Sequence, residues 1–111
     1  MTASVLPPSV TAYFERADAP DPSSVADLFT ADAVVLDDGH TYRGRAEILG
    51  WLTGPASAFT TTSTWLSAES TAASAVVRIL LEGDFPGGRV ELTYRFAVAP
   101  DGPIADLSIT V

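Results

Sequence analysis

Residues 32–48 read DAVVLDDGHTYRGRAEI, and the order of signals in them is an order of elements. Ala33 to Asp37 carries branched Val34 and Val35, the composition of a strand. Asp38-Gly39 is a two-residue hairpin signal, because glycine reaches the positive φ that such a turn needs. His40 to Arg43 reads as a short return strand. Gly44 breaks it, and Arg45 to Thr53 has helical periodicity, with Ile48, Trp51 and Leu52 at i, i+3 and i+4. Gly54-Pro55 ends that helix.

Upstream, Pro7-Pro8 introduces a helix whose apolar stripe is Val10, Tyr13, Phe14 and Ala17, with Pro20 as its stop. A short second helix follows, capped by Ser23 or Ser24, with Val25, Leu28 and Phe29 on its apolar side. Downstream, everything reads as strand. Phe59 to Glu69 is rich in Thr, Ser and Trp, and Ala75 to Glu82 is apolar around Arg78. Arg89 to Val98 alternates Val90, Leu92, Tyr94, Phe96 and Val98 against Glu91, Thr93 and Arg95. In Ile104 to Val111 the residues Leu107, Ile109 and Val111 share a face. Pro86-Gly87-Gly88 and Pro100-Asp101-Gly102 turn the chain between them. Helices segregated from antiparallel strands are the α+β pattern.

The chain has 111 residues, 47% of them hydrophobic and 18% charged. That is one domain with one core, and too apolar for a disordered chain. Residues 1–6 read as a flexible N-terminal arm and 7–111 as the single domain. Six basic and 14 acidic residues leave a formal charge of −8. This argues against nucleic acid, whose binding rests on basic residues neutralising phosphates, and against anionic membranes. No apolar run approaches the ~18 residues of a membrane span, and no targeting signal is visible, so a cytoplasmic protein is expected. Absent lysine beside abundant Ala, Asp and Arg points to a GC-rich bacterial genome. With no cysteine and one histidine, no thiol nucleophile or multi-histidine metal site is expected, and no cofactor is inferred.

The runs Asp32-Ala33-Val34-Val35-Leu36-Asp37 and Tyr42-Arg43-Gly44-Arg45-Ala46-Glu47-Ile48 resemble the nuclear transport factor 2-like superfamily. So does the spacing of Tyr13, Asp21, Phe29 and Asp32. Within that superfamily the chain is most similar to small SnoaL-like bacterial proteins, through Gly83-Asp84-Phe85-Pro86-Gly87, Leu92-Thr93-Tyr94-Arg95-Phe96 and Gly102-Pro103-Ile104. The resemblance runs from Pro8 to Val111. It implies a cone-shaped (cystatin-like) fold in which three N-terminal helices pack on a curved, mainly antiparallel sheet around an apolar pocket. It also implies a homodimer through the exposed sheet face. Thr60, Thr62, Thr64, Leu66 and Ala68 are expected to line that face on the first long strand. Members range from polyketide cyclases and ketosteroid isomerases to non-enzymatic transport factors, so fold alone does not decide function.

Compared with ketosteroid isomerase, the interval from Tyr13 to Asp37 matches without a gap. The resemblance puts Tyr13 on the oxyanion-stabilising tyrosine and Asp37 on the general base. The second oxyanion donor, an aspartate in that family, falls at Tyr94, so two tyrosines would share the oxyanion here. A carboxylate that takes a proton next to a carbonyl, with donors aimed at the enolate oxygen, is the chemistry these types serve.

His40 is a candidate acid/base, or orients Asp37. The expected pocket wall is Phe14, Trp51, Phe59, Trp65, Phe96 and Leu107. Each of these residues also has a plainer reading. Tyr13 in an apolar stripe is often core, Asp37 before Asp38-Gly39 is often turn chemistry, His40 at a hairpin is often solvated, and the tryptophans are often core. Arg78 faces either the sheet exterior or the pocket mouth. Two functions follow: an isomerase, cyclase or dehydratase acting on a small hydrophobic molecule, or a non-catalytic ligand-binding or dimerisation module.

Overall fold

The computed structural model describes residues 6–16, 22–37, 39–53, 61–71, 73–85, 87–100 and 102–111. Residues 1–5 of the arm expected over 1–6, the helix stops at Pro20 and Gly54-Pro55, and Ala17, Asp38, Phe59 and Thr60 lie outside them. Leu6 packs against the core.

Helix α1 (Pro8–Arg16) starts where the Pro7 carbonyl accepts the N–H groups of Val10 and Thr11. Pro8 fits that first turn because its missing N–H would have no intrahelical partner. Val10 and Tyr13 are buried, and Phe14 is half-buried beside them. Helix α2 (Pro22–Ala26) is five residues long, which corrects two expectations. Ser23 and Ser24 lie inside it rather than capping it. Phe29 is not on its apolar side but opens strand β1 (Phe29–Asp37). The sheet captures this stretch: the Leu28 carbonyl accepts the Ile104 N–H at 2.8 Å, and Phe29 pairs with Ile104.

Strand β1 turns through Gly39 (φ 76°) into β2 (His40–Arg43), with Asp37 opposite His40. Helix α3 (Gly44–Thr53) follows at once. Gly44 sits at φ 81°, a value any other residue adopts under strain. Then come β3 (Thr61–Ser70), β4 (Ser74–Gly83), β5 (Arg89–Val98) and β6 (Ile104–Thr110). The six strands form one sheet in the order β2-β1-β6-β5-β4-β3. The β1–β6 pair is parallel and the others antiparallel. The helices cover one face, where Val10, Tyr13, Ile48 and Trp51 share a core with Val35, Val77, Ile79, Phe96 and Leu107.

The alternation expected of β5 holds: Phe96 is buried, and Val90, Leu92, Tyr94 and Val98 are half-buried, while Glu91 and Arg95 are exposed. That of β3 does not. Trp65 pairs with Ile79 but Ser67 pairs with Arg78, so Leu66 is an extra residue and parity reverses there. Ala68, expected outside with Thr62 and Thr64, therefore stands opposite buried Val77 and packs on the core. Val111 shares no face with Leu107 and Ile109; it lies beyond β6 and is 96% exposed. Arg78 faces outward, 3.1 Å from Glu91.

Candidate functional site

The site is built across adjacent strands. Asp37 pairs with Ile109, and Ile109 with Tyr94. Directly paired residues point to the same side of a sheet. Asp37 and Tyr94 therefore stand on the helix-covered face, one residue apart across β6. His40 is opposite Asp37 on the other side and is exposed. Asp37 occupies this position because the period of two places it with buried Ala33 and Val35.

Tyr13 comes down onto the same area from α1, at i+3 from Val10. Its ring lies 6.4 Å from that of Tyr94, 5.5 Å from Phe96, 5.1 Å from Phe14 and 6.2 Å from Phe29. Phe14 packs at 5.3 Å from Tyr94 and 4.8 Å from Trp65. These edge and tilted contacts are the arrangement that aromatic quadrupoles favour. Trp65 remains 45% exposed at the margin of the cluster.

Both phenols are harder to ionise than usual. Burial raises the Tyr13 pKa well above the ordinary value of 10.0, and the proximity of Tyr94 and the charge of Asp37 push it further the same way. Tyr94 is pushed up to about 12, first by burial and then by Asp37. Both hydroxyls therefore stay protonated across the ordinary pH range and remain donors. The Asp37 carboxylate acts on both, so the three groups form one electrostatic unit.

Of the residues singled out by sequence, Tyr13, Tyr94 and Asp37 come together, with Phe14, Trp65 and Phe96 in the aromatic cluster around the tyrosines. Leu107 is wholly buried between Val35 and Phe96. Trp51 lies on the other flank, against Tyr42, with ring centres 6.0 Å apart. Its Nε1 donates to Oδ2 of Asp37 at 2.9 Å. Sequence reasoning missed that bond and the role of Phe29 against Tyr13. The one signal available was that a buried indole N–H requires an acceptor. Among the described residues no group of three His, Asp or Glu side chains is placed to hold a metal ion, and no helix is long and apolar enough to cross a membrane.

The SnoaL-like domain family matches residues 10–106. Among solved structures, a candidate polyketide cyclase from Sinorhizobium meliloti is 35% identical, with 95% of each chain covered and a TM-score of 0.86. A protein of ketosteroid isomerase-like fold from Catenulispora acidiphila, in complex with trimethylamine, is 20% identical over 96% of this chain and 87% of its own, at 0.81. A Mycobacterium tuberculosis protein in complex with estradiol-17beta-hemisuccinate is 17% identical over 93% and 90%, at 0.76. The last two establish likeness of fold. No curated protein sequence matches the chain.

Proposed function

The chain belongs to the SnoaL-like domain family, and from that premise we propose that it is an acid–base enzyme moving a proton next to the carbonyl of a small hydrophobic molecule. The observation that carries the reading is the convergence of one carboxylate, Asp37, with two protonated phenols, buried Tyr13 and half-buried Tyr94. Asp37 is the base. It takes a proton from carbon; the electron pair of that C–H bond forms a carbon–carbon double bond, and the π pair of the carbonyl moves onto its oxygen. Tyr13 and Tyr94 donate hydrogen bonds to the oxyanion so formed. Returning the proton to another carbon gives isomerisation. Addition of the enolate to a second carbonyl, whose oxygen then takes the proton from Asp37, gives cyclisation; departure of a β-hydroxyl as water, with that same proton, gives dehydration. Phenols already oriented at a charge that only develops in the transition state lower the barrier without a reorganisation cost.

The aromatic cluster suits an apolar substrate. The steroid conjugate held by the Mycobacterium tuberculosis protein supports a ligand of that class. His40, exposed and opposite Asp37, exchanges protons between the base and water. Two copies are proposed to pair through the sheet face that the helices leave open.

The test is exchange of α-hydrogens of enones and β-keto compounds in deuterated water, followed by NMR. Asp37→Asn, with its fold intact, is expected to slow exchange by ~10²–10⁴-fold. Exchange unaffected by that substitution overturns the reading and leaves a ligand-binding protein.

A further inference from the structure

We infer that Trp51 is the positioning residue of Asp37, acting from helix α3 on the orientation of the base rather than on the substrate. The inference rests on the acid–base reading above. A carboxylate turns about a broad, weakly restrained terminal torsion. Left alone, Asp37 would present its lone pairs in many directions. The indole N–H at 2.9 Å fixes Oδ2, and with it the plane of the group, so Oδ1 is the oxygen that receives the proton. Trp51 is 2% exposed. Its one polar group, the indole N–H, is taken up by Asp37, so its polar effect on the reaction passes through that carboxylate.

The indole packs on one ring, and the helix that carries it is held at two further points. Tyr42 lies against its ring at an interplanar angle of 34°. The start of α3 is fixed where Oε1 of Glu47 accepts the Arg43 N–H at 2.8 Å. Nε of Arg45 donates to the Phe29 carbonyl at 3.0 Å. Helix α3 is thus tied to both ends of β1, by Arg45 at Phe29 and by Trp51 at Asp37. The distance from helix to base is set by two hydrogen bonds along a single strand. A displacement of about 1 Å in a catalytic group costs up to ~10²-fold in rate, which is the scale on which such an anchor acts.

Trp51→Phe keeps an aromatic ring against Tyr42 and removes the donor. In the exchange assay it is expected to lower kcat by ~10- to 100-fold and leave KM within about twofold. A second readout does not depend on turnover. The chain has two tryptophans, so a proton–nitrogen correlation spectrum shows two indole peaks, and the one missing from Trp51→Phe is that of Trp51. Because a bond to a charged acceptor is the stronger one, that peak lies downfield in the wild type and moves upfield in Asp37→Asn. If Trp51→Phe does not fold, this shift, measured on wild type and Asp37→Asn, still decides whether the bond exists. An indole peak indifferent to Asp37→Asn overturns the inference. So does a Trp51→Phe enzyme with wild-type kcat, when Asp37→Asn has lost its own. Absence of exchange by the wild type, with the peak still shifted, overturns the base reading instead and takes the positioning role with it.

Discussion

At the scale of single residues the site sets a carboxylate against two phenols that hold their protons. This has a consequence for stability. The unfolded reference pKa of Tyr94 is 10.0 and its folded value is about 12. Between those values the unfolded chain binds fewer protons than the native one, so the stability of the fold falls as pH rises. The contribution is complete below pH 10 and is lost as pH climbs towards 12. Tyr13, whose pKa burial also raises, adds to the decline in the same direction. Denaturant midpoints measured from pH 9 to 12 are expected to drop, and Tyr94→Phe is expected to drop less steeply. Release of all tyrosinate absorbance near pH 10 in protein that is still folded would contradict this. The same residues show what was legible in the sequence. That Tyr13 shares a face with Val10 and Asp37 with Val35 is readable because a helix and a strand each have a fixed period, whereas their pairing rests on the resemblance to ketosteroid isomerase. The indole bond is not readable, because it joins residues fourteen apart whose meeting depends on how α3 lies against β1.

At the scale of elements, β1, β2, α3 and β5 were readable within a residue or two at most boundaries, except where tertiary pairing overrode local preference. Local sequence extended the short helix to Phe29; the parallel pairing of Phe29 with Ile104 made it a strand instead. Strand β3 is the more instructive failure. Its sequence reads as unbroken alternation, and a single inserted residue, Leu66, inverts everything after it. No local signal marks that insertion, since Ser, Thr and Ala suit either face of a sheet. The inversion can be tested. Ala68→Asp sets a charge against the core and is expected to cost about 1–3 kcal/mol in chemical denaturation. Ser67→Asp, directed outward beside Arg78, is expected to stay within about 0.5 kcal/mol of wild type. The reverse order of the two costs would restore the regular strand.

At the scale of the whole molecule, charge is unevenly distributed. The chain carries −8, yet on the open sheet face Arg43, Arg78, Arg89 and Arg95 offset Glu69, Glu82, Glu91 and Asp106. Four of the six arginines stand there, so the net negative charge belongs to the rest of the surface. Two copies meeting elsewhere repel; two meeting on this face do not. Half-exposed Val76, Leu80 and Leu36 add apolar area between the charges. Six strands of four to ten residues, at about 3.3 Å per residue and about 4.8 Å apart, present roughly 800 Å², near the ~800 Å² per partner of a standard interface. The proposed dimer is therefore expected to dissociate when this balance is upset. Arg78→Glu with Arg95→Glu leaves the buried face untouched and makes the open face strongly acidic. Light scattering is expected to give twice the 11.6 kDa chain mass for wild type and the single mass for the double variant. Added salt, which screens exposed charges, is expected to recover part of the association. A wild-type protein that runs as a monomer at tens of micromolar, or a double variant that stays dimeric at low salt, removes this face as the interface and leaves the chemistry at Asp37 to be judged within one chain.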